Sequence, residues 1–513
     1  MSNVLVLNMG MKSIRSIIFD DEGHKISSKS LPLTSAISDR KVEQNPKEWW
    51  TKAVSVMKTS LREASVRHLD AITVTTSASC LVCMDDAGTA QGSAIMVSDK
   101  RAENEARYIA QIPEFAEVRR AAGLNMSASL MLPKILWVRQ HCPDIFCRTQ
   151  WFLSPNDYLI YHLCGRVVTD ELNAVKYHYD IEAETYPCRL LERLGIPIRK
   201  LPPVTAIGSR AGRIRPELAE ELGVDNDSMV YLSSYDAICS FLGSGVSEDG
   251  EASDVSGTVT VFRALSFNTE LKKEAQNLRV YVNPYRAEQA QIIGGSNNLG
   301  GGLIEWAKQC YYMREEYPYE VMEKDAGESS VGARGLIFLP YLLGERAPLW
   351  NDEARGVFFG LERMHTRKDM TRAIFESTGF IDMDMMKAIR EAGTKVCSVR
   401  LSGGLARIPL ISQIKADILG VDVLVLNEFE TTSTGAAMLA FIGLGRFRNL
   451  KEAAARFVQI RMIIKPDREN HERYQYGYEL YKSTYDVLQP QFAKRMKLLD
   501  CIRNDREVSI ENL

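Results

Sequence analysis

Short apolar runs separated by turn residues open the chain. Residues 4–7 and 13–19 are predicted strands that meet at a small-residue corner, and residues 24–31 return as a third strand. Glycine, asparagine and aspartate at each reversal favour tight turns between antiparallel strands. The apolar spacing then becomes helical over residues 46–64, and an apolar strand follows at residues 71–76. A meander, a helix and a strand in this order predict a mixed α/β sheet.

The opening pattern returns in the second half of the chain. Residues 251–255 and 259–265 are predicted strands on either side of the corner Ser256-Gly257-Thr258. A faint repeat of this kind is expected from a duplicated nucleotide-binding fold. The segment 243–257 is rich in glycine, serine and acidic residues and marks the boundary between the halves. The predicted domains are residues 1–246 and 247–513.

The end of the second half contains further strands and helices. A predicted strand at residues 399–401 runs into the corner Ser402-Gly403-Gly404, and another strand is expected at residues 421–426. We expect Gly435 to open a helix, because small residues precede an apolar run there. A long polar helix over residues 472–501 closes the chain.

Composition excludes several classes of function. The chain has 513 residues, enough for two large domains, and a net charge of −3 with scattered basic residues. This balance argues against a nucleic-acid-binding or membrane-surface protein. The first residues form a strand without a basic region or a cleavage site, so we expect no signal peptide and a cytoplasmic protein. No apolar run approaches the ~18 residues of a membrane helix.

Two kinds of candidate chemistry follow predicted strands. The glycine-containing corners at residues 8–12, 254–258 and 402–404 can present backbone N–H groups to a phosphate, although each is also explained as a tight turn. Asp236 follows the predicted strand 228–232 and heads a short helix. A kinase that phosphorylates a hydroxyl needs such a carboxylate as a base. A helix cap explains Asp236 equally well.

Longer segments resemble the FGGY family of carbohydrate kinases, in the expected order and over nearly the whole chain. The most specific match is FLPYLLGERAPLWNDEARGVFFGL at residues 338–361. The other matching segments are LNMGMKSIRSIIFD (7–20), SDKRA (98–102), YDA (235–237) with Gly243 and Gly245, SGT (256–258), GGGLIEW (300–306), SGGLARIPLISQIKAD (402–417) and TGAAML (434–439).

The resemblance implies two actin-like, ribonuclease-H-like ATPase domains flanking a central cleft. The first domain is expected to bind a sugar or polyol and the second to bind ATP, with Mg²⁺ between them. Asp236 is expected to be the catalytic base and to contact the substrate together with Ser79 and Asp99. The residues expected at the nucleotide are Gly10, Lys12, Gly257, Thr258, Gly301, Gly403 and Gly404. The resemblance does not identify the metal ligands in this chain.

Several positions depart from the family pattern. The family's first loop begins with an aspartate that organises Mg²⁺ and continues with threonines, whereas this chain has Asn8, Met11 and Lys12. We expect weaker metal binding, and Lys12 is either a partial substitute for the metal's charge or a solvated lysine. Ala78-Ser79 stands where glycerol kinases carry Arg-Glu and xylulokinases carry Met-His, and Val97 replaces a common tryptophan. The acceptor pocket therefore differs from both.

We predict an ATP-dependent carbohydrate kinase that transfers the γ-phosphoryl group to a hydroxyl of a sugar or polyol. One alternative is a kinase for a hydroxyl compound that is not a sugar. The other is a degenerate kinase that binds nucleotide or metabolite as a sensor or partner protein; Asn8 and Met11 favour it, whereas Asp236 and Thr258 favour an enzyme. A homodimer is the default expectation for a soluble oligomer.

Overall fold

The computed structural model describes residues 2–268, 271 and 279–510. The chain forms two compact units, each assembled from three segments. Unit 1 comprises Met1–Glu248, Val282–Ile292 and Glu430–Gln459, and unit 2 comprises Asp249–Tyr281, Ile293–Phe429 and Ile460–Leu513. The chain therefore returns to unit 1 late in the second half.

Strands and helices alternate along most of the chain. The strands are β1 (Asn3–Met9), β2 (Ser13–Asp20), β3 (Lys25–Pro32), β4 (Ala36–Ser38), β5 (Lys41–Gln44), β6 (Ala71–Thr76), β7 (Val82–Met84), β8 (Ala94–Ile95), β9 (Trp151–Leu153), β10 (Thr169–Asp170), β11 (Val204–Thr205), β12 (Arg210–Arg213), β13 (Met229–Leu232), β14 (Glu251–Ser256), β15 (Thr260–Ser266), β16 (Tyr281–Tyr285), β17 (Ala290–Ser296), β18 (Ile337–Leu339), β19 (Val357–Phe359), β20 (Ser398–Gly403), β21 (Asp422–Leu426) and β22 (Ile460–Ile464). The helices are α1 (Pro46–Ala64), α2 (Glu103–Ala110), α3 (Phe115–Ala122), α4 (Met131–His141), α5 (Pro143–Arg148), α6 (Pro155–Cys164), α7 (Glu171–Ala174), α8 (Cys188–Arg193), α9 (Pro216–Leu222), α10 (Asp236–Gly243), α11 (Gly301–Tyr311), α12 (Pro318–Glu328), α13 (Arg367–Glu391), α14 (Pro409–Leu419), α15 (Thr431–Gly443), α16 (Leu450–Phe457) and α17 (Arg468–Ile510).

Unit 1 is built on a six-stranded mixed sheet in the order β12-β13-β6-β1-β2-β3. The predicted meander is confirmed, since β1, β2 and β3 pair antiparallel. Strand β6 runs parallel to β1, and β13 runs parallel to β6. The carboxyl ends of β1, β6 and β13 therefore lie side by side at one edge of the sheet.

Helix α1 illustrates how local sequence builds this unit. The side chain of Asn45 accepts a hydrogen bond from the Lys47 backbone, and Pro46 occupies the first helical turn. A proline there fits the helix because its missing N–H needs no partner in the first turn. Trp49 and Met57 are fully buried in the core of the unit. The predicted helix therefore begins and ends where the pattern placed it.

Unit 2 repeats the strand pairing of unit 1. Its strands pair in the order β15-β14-β20-β21-β22. Strands β14 and β15 are antiparallel, whereas β14, β20 and β21 run parallel to one another. The strand, corner and strand predicted at the start of the second half are thus confirmed.

Two expectations about helices were wrong. Gly435 does not open a helix but lies inside α15. A Cβ on Gly435 would lie 1.9 Å from the carbonyl oxygen of Cys239, and one on Gly243 would lie 2.0 Å from that of Thr431. Both glycines are therefore needed where α10 and α15 pack. The closing helix, α17, is also longer than the predicted 472–501 and contains Pro490.

Candidate active site

The corner between β14 and β15 is tied to the start of α11 by backbone hydrogen bonds. The N–H of Gly301 donates to the carbonyl of Gly257 over 2.7 Å, and the N–H of Gly300 donates to that of Thr258 over 2.9 Å. A Cβ on Gly301 would lie 2.8 Å from the Gly257 carbonyl oxygen. Glycine is thus required at position 301 because the two backbones approach closely.

The next parallel strand brings a second corner to the first. Ser256 of β14 pairs with Gly403 at the end of β20. Gly403 has a φ of +86°, and a Cβ there would lie 2.5 Å from the carbonyl oxygen of Ser256. Unit 2 therefore collects the predicted nucleotide residues of the second half in one place. They are Gly257, Thr258, Gly301, Gly403 and Gly404.

A buried ionic cluster lies beneath this pair of corners. Lys415 Nζ donates to carboxylate oxygens of Asp254 and Asp382 and, over 3.3 Å, to the hydroxyl of Ser256. Burial alone would lower the pKa of Lys415, but the two carboxylates raise it. Burial and the neighbouring Asp254 raise the pKa of Asp382 well above its usual range. The cluster fixes Ser256 next to the predicted phosphate-binding corner.

In unit 1, Asp236 lies near the carboxyl ends of the central strands. It is the first residue of α10, and its Oδ1 accepts a hydrogen bond of 2.7 Å from the Ala237 backbone. The hydroxyl of Ser77, just beyond β6, donates to Asp236 Oδ2 over 3.3 Å. The Ser77 backbone in turn donates to the Met9 carbonyl at the end of β1. The predicted base is therefore held against the first loop.

The side-chain amide of Asn8 makes hydrogen bonds that the sequence did not predict. Its Nδ2 donates to the hydroxyl of Ser433 over 2.9 Å and to Glu430 Oε1 over 3.3 Å. Both partners belong to the late segment that returns to unit 1. The neighbouring corner is closed by a hydrogen bond from the Gly10 N–H to the Ser13 carbonyl, and Lys12 is exposed.

The other two predicted substrate residues differ in their surroundings. Ser79 is 4% exposed and has a φ of +59° in the loop after β6. Asp99 accepts hydrogen bonds from the Val42 backbone and from the backbone and guanidinium of Arg101. Burial would raise the pKa of Asp99, but the hydrogen bonds from Arg101 hold it below its usual value. Both oxygens of the Asp99 carboxylate thus accept hydrogen bonds from the protein.

Two family models together cover most of the chain. The N-terminal domain of the FGGY family of carbohydrate kinases matches residues 3–243, and the C-terminal domain of that family matches residues 255–444. The chain belongs to the FGGY family of carbohydrate kinases. It is an ATP-dependent carbohydrate kinase, a phosphotransferase that acts on an alcohol group, as the sequence predicted.

Relatives and solved structures of this FGGY kinase match over nearly their full length. A xylulose kinase of Staphylococcus epidermidis is 30% identical over 491 residues, which are 94% of this chain and 96% of that protein. A gluconokinase of Bacillus licheniformis is 26% identical over 459 residues, which are 87% and 88% of the two chains. The ligand-bound xylulose kinase from Lactobacillus acidophilus has a TM-score of 0.90 at 24% identity and covers 96% of this chain and 100% of its own.

The fold prediction is confirmed by these neighbours. They have the two-domain fold with actin-like, ribonuclease-H-like domains. In the part of the chain that the structure describes, none of the helices is both long and apolar enough to cross a membrane.

Sequence reasoning missed several residues that shape the FGGY kinase site. Ser77, Glu430 and Ser433 contact the predicted first-loop and base residues. Their only signal was a polar residue next to a predicted strand or helix start. Lys415 carried no clearer signal, because its helix also contains Gln413 and Asp417.

Proposed function

We propose that Asp236 is the general base of this kinase. Its carboxylate takes the proton of the acceptor hydroxyl while that oxygen attacks the γ-phosphorus of ATP. The bond between the γ-phosphorus and the bridging oxygen breaks, and ADP leaves with the electron pair. The observation that carries the proposal is the Ser77 hydrogen bond, which holds Asp236 Oδ2 beside the end of β1.

Residues 247–513 are proposed as the ATP-binding domain and residues 1–246 as the acceptor domain. The hydrogen bonds between the Gly257–Thr258 corner and the start of α11, together with Gly403, support a phosphate-binding surface in unit 2. Backbone N–H groups at such corners suit anionic oxygens because they need no side chain. Gly10 and Lys12 are proposed to contact phosphate from the first loop of the acceptor domain.

Magnesium fits the donor atoms available near the first loop. Mg²⁺ takes oxygen ligands, and Glu430 and Asp236 supply carboxylates while Asn8 offers a neutral amide oxygen. When bound, the ion would supply positive charge that offsets the charge of the phosphates. Asn8 itself orients Glu430 through its amide N–H. One carboxylate fewer than in the family pattern should weaken metal binding.

The proposed acceptor is a sugar or polyol, and xylulose and gluconate are the first compounds to test. They are the substrates named for the relatives of Staphylococcus epidermidis and Bacillus licheniformis. Ala78-Ser79 departs from the xylulokinase pattern, and Val97 stands where many family members have tryptophan, so the preferred acceptor need not be xylulose.

A coupled assay for ADP release across sugars and polyols tests this proposal. We expect ADP formation that depends on one acceptor and that matches the amount of phosphorylated product. Acceptor-independent ATP hydrolysis would refute it. ATP binding without turnover on any acceptor would also refute it and would favour the sensor hypothesis.

The homodimer and the cytoplasmic location stay predictions from the sequence. Sedimentation equilibrium of the purified chain tests the first, because a monomer at working concentration contradicts it. Fractionation of the source cells tests the second.

A further inference from the structure

Lys134 is a fully buried cation in the middle of unit 1. It lies in α4, and its side chain is 0% exposed. Its Nζ donates to three backbone carbonyls, those of Ser79 over 2.5 Å, Met96 over 2.9 Å and Ser129 over 3.1 Å. An ammonium has three N–H donors, so these three acceptors satisfy it completely.

Burying an ammonium group costs free energy unless hydrogen bonds compensate for the lost contacts with water. A lysine is almost never fully buried without partners, because leaving water disfavours the charged form. Burial accordingly lowers the pKa of Lys134 to about 8, which the nearby carboxylate of Asp99 opposes only in part. The carbonyl contacts are therefore the feature that distinguishes lysine at this position.

The carbonyls of Ser79 and Met96 belong to two segments that adjoin the candidate site. Ser79 lies two residues after Ser77, whose hydroxyl contacts Asp236. Met96 precedes Val97 and accepts a hydrogen bond from the Asp99 backbone. The two segments also pair with each other through the backbones of Leu81 and Ile95. The Lys134 side chain is thus hydrogen-bonded to the backbones of both segments.

These are also the segments in which the chain departs from patterns found in the family. The altered positions are Ala78-Ser79 in the first segment and Val97 in the second. Ser79 has a left-handed backbone, with a φ of +59°. A non-glycine residue keeps that conformation only where its surroundings enforce it. The hydrogen bond from Lys134 to the Ser79 carbonyl is such a constraint.

We propose that Lys134 is a positioning residue of the acceptor subsite. Its hydrogen bonds hold the loop of Ser79 and the segment of Met96 in place. The proposal rests on the proposed placement of the acceptor beside Asp236. Lys134 does not touch the reacting atoms. It sets the backbone on which the acceptor is recognised, so its loss should act on acceptor binding and spare ATP binding.

Unit 1 offers a matched control in Lys200. This lysine is 8% exposed, and its Nζ donates to the carbonyls of Phe146 over 2.7 Å and Thr149 over 2.5 Å. Burial lowers its pKa as well. Lys200→Met therefore removes a similar buried contact from a different segment, the end of α5.

Hydrogen–deuterium exchange and kinetics of Lys134→Met, Lys200→Met and the unchanged chain test the proposal. In Lys134→Met we expect amides of residues 78–81 and 95–98 to exchange about tenfold faster, with residues 146–149 unchanged, and the reverse in Lys200→Met. The KM for the acceptor should rise about tenfold in Lys134→Met alone, with the KM for ATP and the kcat at saturating acceptor within about threefold.

The proposal is overturned if the amides of residues 78–81 and 95–98 exchange equally fast in both variants. It is also overturned if the KM for the acceptor is unchanged in Lys134→Met. If Lys134→Met does not fold, Lys134→Gln replaces it, because its amide keeps two N–H donors without the charge. The exchange measurement needs no acceptor. If the unchanged chain phosphorylates no acceptor, the proposed function fails and the positioning role falls with it, whatever the exchange shows.

Discussion

The side-chain amide of Asn8 donates a hydrogen bond of 2.9 Å to the hydroxyl of Ser433, 425 residues later in the chain. The same nitrogen donates to the carboxylate of Glu430 over 3.3 Å. An aspartate at position 8 has no N–H to donate and would place a second negative charge against Glu430. Asn8 is therefore matched to an anionic neighbour that the family's usual aspartate would repel in the absence of metal.

Replacing Asn8 by Asp should make the stability of unit 1 depend on magnesium. Loss of the donated hydrogen bonds and the new repulsion should cost about 1–3 kcal/mol without metal. Mg²⁺ should restore part of this stability and bind more tightly than to the unchanged chain, because a further carboxylate beside those of Glu430 and Asp236 attracts it. Thermal unfolding with and without Mg²⁺ measures both effects.

Asn8→Ala is the control for this prediction, because it removes the same hydrogen bonds without adding a carboxylate. Asn8→Ala should be destabilised to a similar degree, but adding Mg²⁺ should not raise its unfolding temperature. An equal response of Asn8→Asp and Asn8→Ala to the metal would show that position 8 does not contribute to metal binding.

Replacing Asp236 by Asn should abolish most turnover and leave ligand binding intact. The amide keeps the shape of the side chain but cannot accept the hydroxyl proton, so kcat should fall by about 10²–10⁴. Calorimetric titration should give ATP and acceptor affinities close to those of the unchanged chain. Glu217→Gln, at the exposed start of α9, is the matched control and should leave kcat unchanged. Near-normal turnover of Asp236→Asn would remove this residue from the mechanism.

Replacing Gly403 by Ala should weaken ATP binding as well as stability. A Cβ there would lie 2.5 Å from the Ser256 carbonyl oxygen, so the corner of β20 must move away from that of β14. Gly332→Ala isolates the backbone strain, since Gly332 also has a positive φ but its Cβ would meet nothing within 4 Å. Gly332→Ala should lower the free energy of unfolding by about 1 kcal/mol and leave ATP affinity unchanged. Equal ATP affinity in both variants would contradict a nucleotide role for Gly403.

Replacing Asp157 by Asn should change how stability depends on pH. Burial raises the pKa of Asp157 to about 7 from an ordinary value of 3.8. The folded state therefore favours the protonated carboxyl, and the stability that it contributes at low pH is lost as the pH rises from about 4 to about 7. Asparagine does not titrate and keeps an oxygen that can accept the hydrogen bond from the Ser154 backbone.

Denaturation midpoints at pH 5 and at pH 8 measure this effect. Relative to the unchanged chain, Asp157→Asn should gain stability between these two pH values, by at most about 3 kcal/mol. Ser154→Ala is the control, because it removes the other half of the capping box without removing the titrating group. Parallel pH profiles for Asp157→Asn and the unchanged chain would show that this carboxyl titrates normally.

Elements with strong local signals could be predicted from the sequence. Helix α1 has the predicted bounds because Asn45 caps its start, Pro46 occupies its first turn and the apolar spacing continues to its end. The same holds for β6 and for the start of α10 at Asp236. Gly435 was misplaced because its role comes from the carbonyl of Cys239 on another helix, and nothing in its own neighbourhood reports that contact.

The sequence by itself determined the family, the two corners of unit 2 and the position of Asp236, because these depend on short motifs and on turn chemistry within a few residues. Only the tertiary structure decided what those residues contact. The partners of Asn8 and Lys415 lie 425 and 161 residues away, and Lys134 bonds to backbone carbonyls, which every residue has. A buried polar group needs a hydrogen-bond partner, but the tertiary structure decides which group that partner is. The local sequence therefore does not identify it.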